Sequence, residues 1–369
     1  MRTAAYLAWR NLTAERRRWA VSAVALAISA MLVIFLEGTS RWLTSSATAY
    51  VDHTGAQLIV AEKGIDDLLF AQSAFPVSTL ASVRSLPGVA SADPIIGVNG
   101  IVAVSGTRVP VYLVGFDAGG RGGPWSLDSG SDRPRGSEVV LDRGLARIAG
   151  VHVGDSVQLF GRALHVVGIS NATDAAGDFF LFVPVALAQS IAGLDALSYA
   201  LVQLNPGATG GDVMAAINQL PDVHAMPASS VANNDRTLIT QSFAQPVQIL
   251  AIVGLIAGVL IAGIVLYSAT VEHSRDYAVM KAVGASGVVV YGSALLQSIV
   301  LSVFGVVLGW GAAVGLAAAF DALDPVIESQ LDLDLVLTAG GVILAVNLIA
   351  ALLPVRHVSR IDAQEVFKA

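Results

Sequence analysis

Four stretches of this 369-residue chain contain no Asp, Glu, Lys or Arg: Trp19 to Leu36 (18 residues), Thr237 to Val271 (35), Ala282 to Phe320 (39) and Leu335 to Val355 (21). A helix needs about 18 to 20 apolar residues to cross hydrocarbon roughly 30 Å thick. Each stretch reaches that length, so the chain is read as an integral membrane α-helical protein with four transmembrane helices. Within its longer run the second span is expected at Val247 to Ala269. The third is long enough to tilt, or to begin as a helix lying in the cytoplasmic interface. Composition agrees, with 54% hydrophobic residues, 13% charged and a mean hydropathy of +0.69. Those values are too apolar for a soluble domain of this size.

Several function classes fall away at once. The chain has no cysteine, which removes disulfides, thiolate metal sites and cysteine nucleophiles. A net charge of -7, with no basic patch interleaved by aromatics, is the wrong sign for a nucleic-acid partner. Histidines 53, 152, 165, 224, 273 and 357 show no metal-ligand spacing. Neither a G-x-S-x-G elbow nor a G-x-x-x-x-G-K-[ST] phosphate loop occurs. The chain is therefore not expected to be an enzyme or to bind a cofactor of its own.

Flanking charge sets the expected orientation, because Lys and Arg near span ends stay on the cytoplasmic side. Arg2, Arg10, Arg16, Arg17 and Arg18 precede the first span; Arg275, Lys281, Arg356, Arg360 and Lys368 lie between spans two and three and in the tail. The connection between spans three and four carries Asp321, Asp324, Glu328, Asp332 and Asp334 and no basic residue. A multi-pass protein of the cell membrane with both termini cytoplasmic follows. A secretory signal is the competing reading of the first span, with Ala47, Thr48 and Ala49 as small residues. Its apolar run is longer than the usual stretch of about 7 to 15, and three further spans hold the chain in lipid. Residues 4–15 suit an amphipathic helix on the inner surface.

The polar residues concentrate between spans one and two, where a large α+β extracytoplasmic domain is expected. Pro76 to Val98 reads as a short helix, a Pro-Gly turn and a strand. Arg108 to Phe116, Glu138 to Leu141 and Ser156 to Ile169 read as strands. Ser198 to Leu204, Gly210 to Gln219 and Val223 to Met226 read as strand, helix, strand. Asp117 to Gly136 reads as a mobile Gly-rich connection. His165 reads as a half-buried or surface strand residue and Asp142–Arg143 as a turn.

Between spans two and three stands Glu272, His273, Ser274, Arg275, Asp276, Tyr277, Ala278, Val279, Met280, Lys281, Ala282, Val283, Gly284, Ala285. Topology alone would place a charged hairpin here. The pattern of acid, base, acid, apolar run, base and Ala-x-Gly-Ala also resembles the corresponding loop of MacB/FtsX-type ABC transporter permeases. His273 stands where Arg is common and Asp276 where Glu is common. In that family the loop is the coupling helix seated in a groove of a separate ATPase, and the resemblance implies that role for Glu272, Arg275, Asp276, Tyr277, Met280, Lys281 and Gly284. The charges suit orientation and the apolar side chains suit grip. Ser137 to Asp155 with Val166 to Ile169, Phe180 to Ala188, and the tail Pro354 to Phe367 are similar to further parts of these permeases. The start LAWRNL and the closing Phe367 favour the smaller DevC/HrtB-like branch; Ala363 replaces a common Pro.

The expected order is then an N-terminal helix at 1–18, span one at 19–40, the external domain at 41–240, span two at 245–271, the coupling loop at 272–287, span three at 288–320, an acidic external loop at 321–334, span four at 335–355 and a tail at 356–369. The resemblance implies two copies each of permease and ATPase, with ATP and Mg on the ATPase. Gly254 with Gly258, Gly305 with Gly309, and Gly311 with Gly315 form small-x-x-x-small pairs that permit close helix packing within one subunit or between two. Glu37, at the outer end of span one, either pairs with Arg41 one turn on or meets its symmetry copy across a two-fold axis. Two facing carboxylates would suit a cationic or metal-bearing amphiphile, with Gln245 and Gln248 as neighbours. HrtB-like members export haem, which makes haem the leading substrate and Glu37 its metal-side contact. FtsX-like signalling, including activation of external hydrolases, and extraction of lipoproteins or glycolipids as in LolC/E-like members are the alternatives. Membrane lipid is the remaining expected partner.

Overall fold

The computed structural model describes residues 16–175, 177–272, 287–323 and 329–359. The chain divides into two compact units, one gathering the apolar helices and the other formed by Trp42–Ala244. The first helix, α1 (Arg16–Thr54), contains the first charge-free run but extends well past it. The reason is local. Ser45, Ser46 and Thr54 donate their hydroxyls to the carbonyls of Trp42, Leu43 and Val51 three residues earlier, so these polar side chains are satisfied within the helix and do not end it.

The inter-span domain is built on a mixed sheet. Its first members are β1 (Leu58–Glu62), β3 (Val89–Val104) and β4 (Thr107–Phe116), with the short β2 (Phe75–Pro76) and helix α2 (Val77–Arg84) between β1 and β3. The centre adds β5 (Leu127–Gly130), β6 (Glu138–Asp142), helix α3 (Arg143–Ala149), β7 (Ser156–Leu159), β8 (Arg162–Ser170), β9 (Asp174–Ala175) and β10 (Asp178–Pro184). Helix α4 (Val185–Ala192), β11 (Ala196–Leu197), β12 (Tyr199–Leu204), α5 (Gly210–Ile217), β13 (Val223–Pro227) and α6 (Ala228–Ile239) complete it. Among the described residues the strand order is β13-β1-β12-β3-β4-β10-β6-β8-β5, with β7 on β8 and β9 on β10. β10 runs parallel to β4 and β6 parallel to β8; the other pairs are antiparallel.

Both faces of this sheet are covered, which explains why Phe179 to Val183 is a continuous apolar run instead of an alternating one. Leu58, Val60, Val111, Leu113, Leu181 and Val183 face α2, α3, α4 and α5 in one core. Ile59, Ala61, Tyr112, Val114, Phe180 and Phe182 face the other, closed by Tyr50 and Val51 of α1 and by Val231 and Ala232 of α6.

Three expectations change here. Ser156 to Ile169 is a hairpin of two strands, because Phe160 and Gly161 take positive φ of 52° and 71° and make a two-residue turn. Asp142 is no surface turn: it is buried, caps α3 by accepting from the Gly144 N–H at 2.7 Å, and accepts from the Thr173 hydroxyl at 2.9 Å. The Asp117 to Gly136 connection is anchored, not free. It contributes β5, the Gly122 carbonyl accepts from Tyr50 at 3.0 Å, and Trp125 stacks on His53 at 5.1 Å. His165 is exposed.

After α6 a π-helical turn (Thr240–Ala244) leads into α7 (Gln245–Glu272), and α8 (Gly287–Leu323) and α9 (Leu333–Ser359) follow. Among the described residues four helices are therefore long and apolar enough to cross a membrane, with the large α/β domain between the first and second. Within this unit Gly258 and Gly309 are where α1 comes closest. A Cβ at Gly258 would lie 2.2 Å from Ser29, and one at Gly309 would lie 2.6 Å from the Ala30 Cβ and 2.7 Å from the Ala27 carbonyl. Ser29 donates to the Gly254 carbonyl at 2.8 Å. Two of the three glycine pairs thus pack within this chain, whereas a Cβ at Gly311 or Gly315 meets nothing. Asn347 of α9 donates to the Ser302 hydroxyl of α8 at 3.2 Å, a buried polar link between apolar helices.

Candidate functional site

Helix α1 presents residues 37 to 41 in little more than one turn, and two other segments converge on them. Glu37 and Arg41 lie on one face, with Arg41 Nε 3.9 Å from Glu37 Oε1. Arg41 Nη1 also reaches Asp334 Oδ2 at 3.3 Å. One guanidinium is therefore shared by two carboxylates. Asp334 sits in the first turn of α9, where the unpaired N–H groups of the helix favour negative charge. The side chains of Arg41 and Glu37 are 36% and 34% exposed, so each ion pair is screened and contributes at most about 1 kcal/mol. The arrangement positions charge more than it stabilises the fold.

The turn is fixed by its neighbours. The Gly38 carbonyl accepts from the Gln330 N–H at 3.2 Å, and a Cβ at Gly38 would lie 2.8 Å from the Gln330 carbonyl and the Leu331 side chain. Only glycine admits that segment so closely. Thr39 Oγ1 lies 2.9 Å from Ser329 Oγ. From the third element, Gln248 donates its amide to Ser40 Oγ at 3.1 Å. The structure thus brings Glu37, Arg41 and Gln248 together. Gln245, one turn before Gln248, is exposed.

Sequence reasoning counted Asp334 only as loop charge and passed over Gly38 and Ser40. An acid at the head of a predicted helix was the available signal for Asp334. Nothing local marked the other two. Of the residues expected to couple to an ATPase, Glu272 ends α7, whereas Arg275, Asp276, Tyr277, Met280, Lys281 and Gly284 lie outside the described residues, as do the expected N-terminal helix at 4–15 and the tail beyond residue 359.

A second polar centre lies inside the inter-span domain. Asp235 of α6 is fully buried; its Oδ1 accepts from the N–H groups of Leu68 and Leu69 at 3.0 and 3.1 Å, and its Oδ2 has no partner. Burial pushes its pKa up to about 7 against the two backbone donors, with nearby Asp67 adding to the rise. Tyr112 and Tyr199 donate to the Leu68 and Asp67 carbonyls from the sheet side. Burial raises both phenols above their ordinary range, so they remain protonated donors. The segment from Asp67 to Ala71 is thereby held from both sides. Among the described residues no three His, Asp or Glu side chains are grouped to hold a metal ion.

Residues 19–220 match the family model of the MacB-like periplasmic core domain, and residues 248–363 match that of the FtsX-like permease C-terminal part. An uncharacterized ABC transporter permease of Mycobacterium tuberculosis strain H37Rv is 27% identical over 305 residues, covering 82% of this chain and 83% of the relative. A second such permease of the same strain is 25% identical over 307 residues, with the same coverage of 82% and 83%. The periplasmic region of MacB from Actinobacillus actinomycetemcomitans aligns at a TM-score of 0.38 and 16% identity, over 49% of this chain and 92% of its own.

Proposed function

The chain belongs to the family of MacB-like periplasmic core domains joined to an FtsX-like permease part, and from that premise we propose that it is the permease subunit of an ATP-driven exporter that expels an amphiphile from the outer leaflet of the cell membrane. The carrying observation is that helices long and apolar enough to cross a membrane, with a large α/β domain between the first and second, coincide with these two matched parts. ATP and Mg are bound by a separate ATPase, two copies of which dock on the cytoplasmic loop from Glu272 to Ala285 in a permease dimer. Both termini lie on the cytoplasmic side, as the basic residues before span one and in the tail favour.

The substrate contact is the carboxylate pair of Glu37 and Asp334 around Arg41. In a dimer this cluster is present twice near the outer boundary. It suits a substrate that carries positive charge on an apolar body, and haem, presented as substrate and not as a resident group, is the leading one. Gly311 and Gly315, beside which a Cβ would meet nothing among the described residues, offer α8 to the second copy. The test is growth of cells lacking this permease in toxic haem, with the parent strain alongside. Hypersensitivity restored by the parent gene and not by Glu37→Gln supports haem export. Unaltered growth removes haem and leaves the exporter class to be judged by copurification of the ATPase.

A further inference from the structure

Burial raises the proton affinity of four carboxylates in the inter-span domain: Asp93, Asp142, Asp178 and Asp235. Three have compensation. Asp93 faces Arg121 and Arg84, Asp142 accepts from Gly144 and Thr173, and Asp235 accepts from Leu68 and Leu69. Asp178, at the head of β10, has only the cost: among the described residues it meets neither a donor nor a cation. A half-buried carboxylate without a partner is expensive, and it marks a place where something else supplies the charge.

Asp178 lines a cleft of about 420 Å³ together with Leu69, Phe70, Asn99, Ile101 and Pro110. That volume is within the range of about 300 to 1,000 Å³ typical of small-molecule sites. Two apolar side chains of its lining stand in solvent, Phe70 at 43% and Ile101 at 70% exposed. The exposure of Phe70 is built in. Its N–H and that of Ala71 both donate to Asp67 Oδ1, at 2.9 and 2.8 Å. The neighbouring Leu69 is fixed by Asp235 at its N–H and by the Asn99 amide at its carbonyl, 3.1 Å away. A ring pinned in water beside an unpaired carboxylate offers a cation both a π face and a counter-charge.

We propose that the cleft between the Leu69–Phe70 segment and the β3–β4 hairpin binds a small amphiphile bearing one amine or amidine on an apolar body, with Asp178 as its counter-ion. The site lies wholly within the inter-span domain and does not rest on the export reading or on Glu37. A single half-buried carboxylate matches the single cation of such a small molecule.

The test uses the full chain in lipid nanodiscs, titrated calorimetrically with 2-naphthylmethylammonium and with the neutral 2-naphthylmethanol, empty nanodiscs being subtracted. The ammonium is expected to bind at least tenfold more tightly than the alcohol. Asp178→Asn should abolish that preference while thermal unfolding stays unchanged. If Asp178→Asn does not fold, Ile101→Lys serves, since the residue is exposed and the added cation should cost ammonium binding tenfold or more. Equal binding of the two probes overturns the proposal, as does a preference that survives both substitutions. Binding of an arginine-phenylalanine peptide without binding of the ammonium also overturns it, in favour of a protein partner.

Discussion

Asp235 is a carboxylate that water does not reach, and its proton is set by the fold. Its pKa lies near 7 in the folded chain and near 3.9 in an unfolded one. The sign follows. The folded state holds the proton more tightly, so the favourable contribution is fully present below about pH 4 and is lost as pH rises through 7. Thermal unfolding followed by tryptophan fluorescence between pH 4 and 8 should show stability falling with pH, and Asp235→Asn should flatten the slope. An unchanged slope would assign it to Asp93, Asp142 and Asp178. Glu37 makes a different kind of prediction. Because its ion pair is screened, Glu37→Gln should shift stability by less than about 1 kcal/mol yet remove substrate stimulation of the partner's ATPase; stimulation at the parent level would leave the residue a surface ion pair. The Glu37–Arg41 pair was legible as an i,i+4 spacing. Its third member, Asp334, was not, because only packing brings residues so far apart in sequence together.

At the level of elements, the helices and most strands were legible because their signals are local: charge-free runs, Val-rich stretches and glycine boundaries. What escaped had a tertiary cause. The β7–β8 turn places Phe160 at positive φ, a residue that sequence rules do not favour there. The Gly-rich connection looked free because Trp125 and Gly122 find their partners in α1. The glycine pairs were read as close-packing motifs without a direction, and the structure separates them. Gly309→Val would drive a side chain into the Ala27 carbonyl and should lower the unfolding temperature in detergent markedly, an overpacking cost of about 1 to 3 kcal/mol. Gly311→Val meets open space and should leave it unchanged. Equal effects would show that the α1–α8 contact does not limit stability.

For the whole molecule, the proposed docking of an ATPase on the loop from Glu272 to Ala285 is tested by copurification. Replacing Arg275 and Asp276 together with Ala should reduce recovery of the ATPase with the purified permease at least tenfold while the permease itself accumulates normally. Undiminished recovery would place the docking surface elsewhere. The sheet carries a consequence of another kind, for synthesis. Strand β1 is made early, yet its partners on both sides, β12 and β13, are the last strands of the domain to leave the ribosome. Pairing of such distant segments is intrinsically slow, and chains emerge at about 5 to 20 residues per second. For several seconds, then, the Phe179 to Val183 strand is present without the full covering it receives in the finished domain. This nascent interval, and not the mature protein, is when the chain has most need of a chaperone.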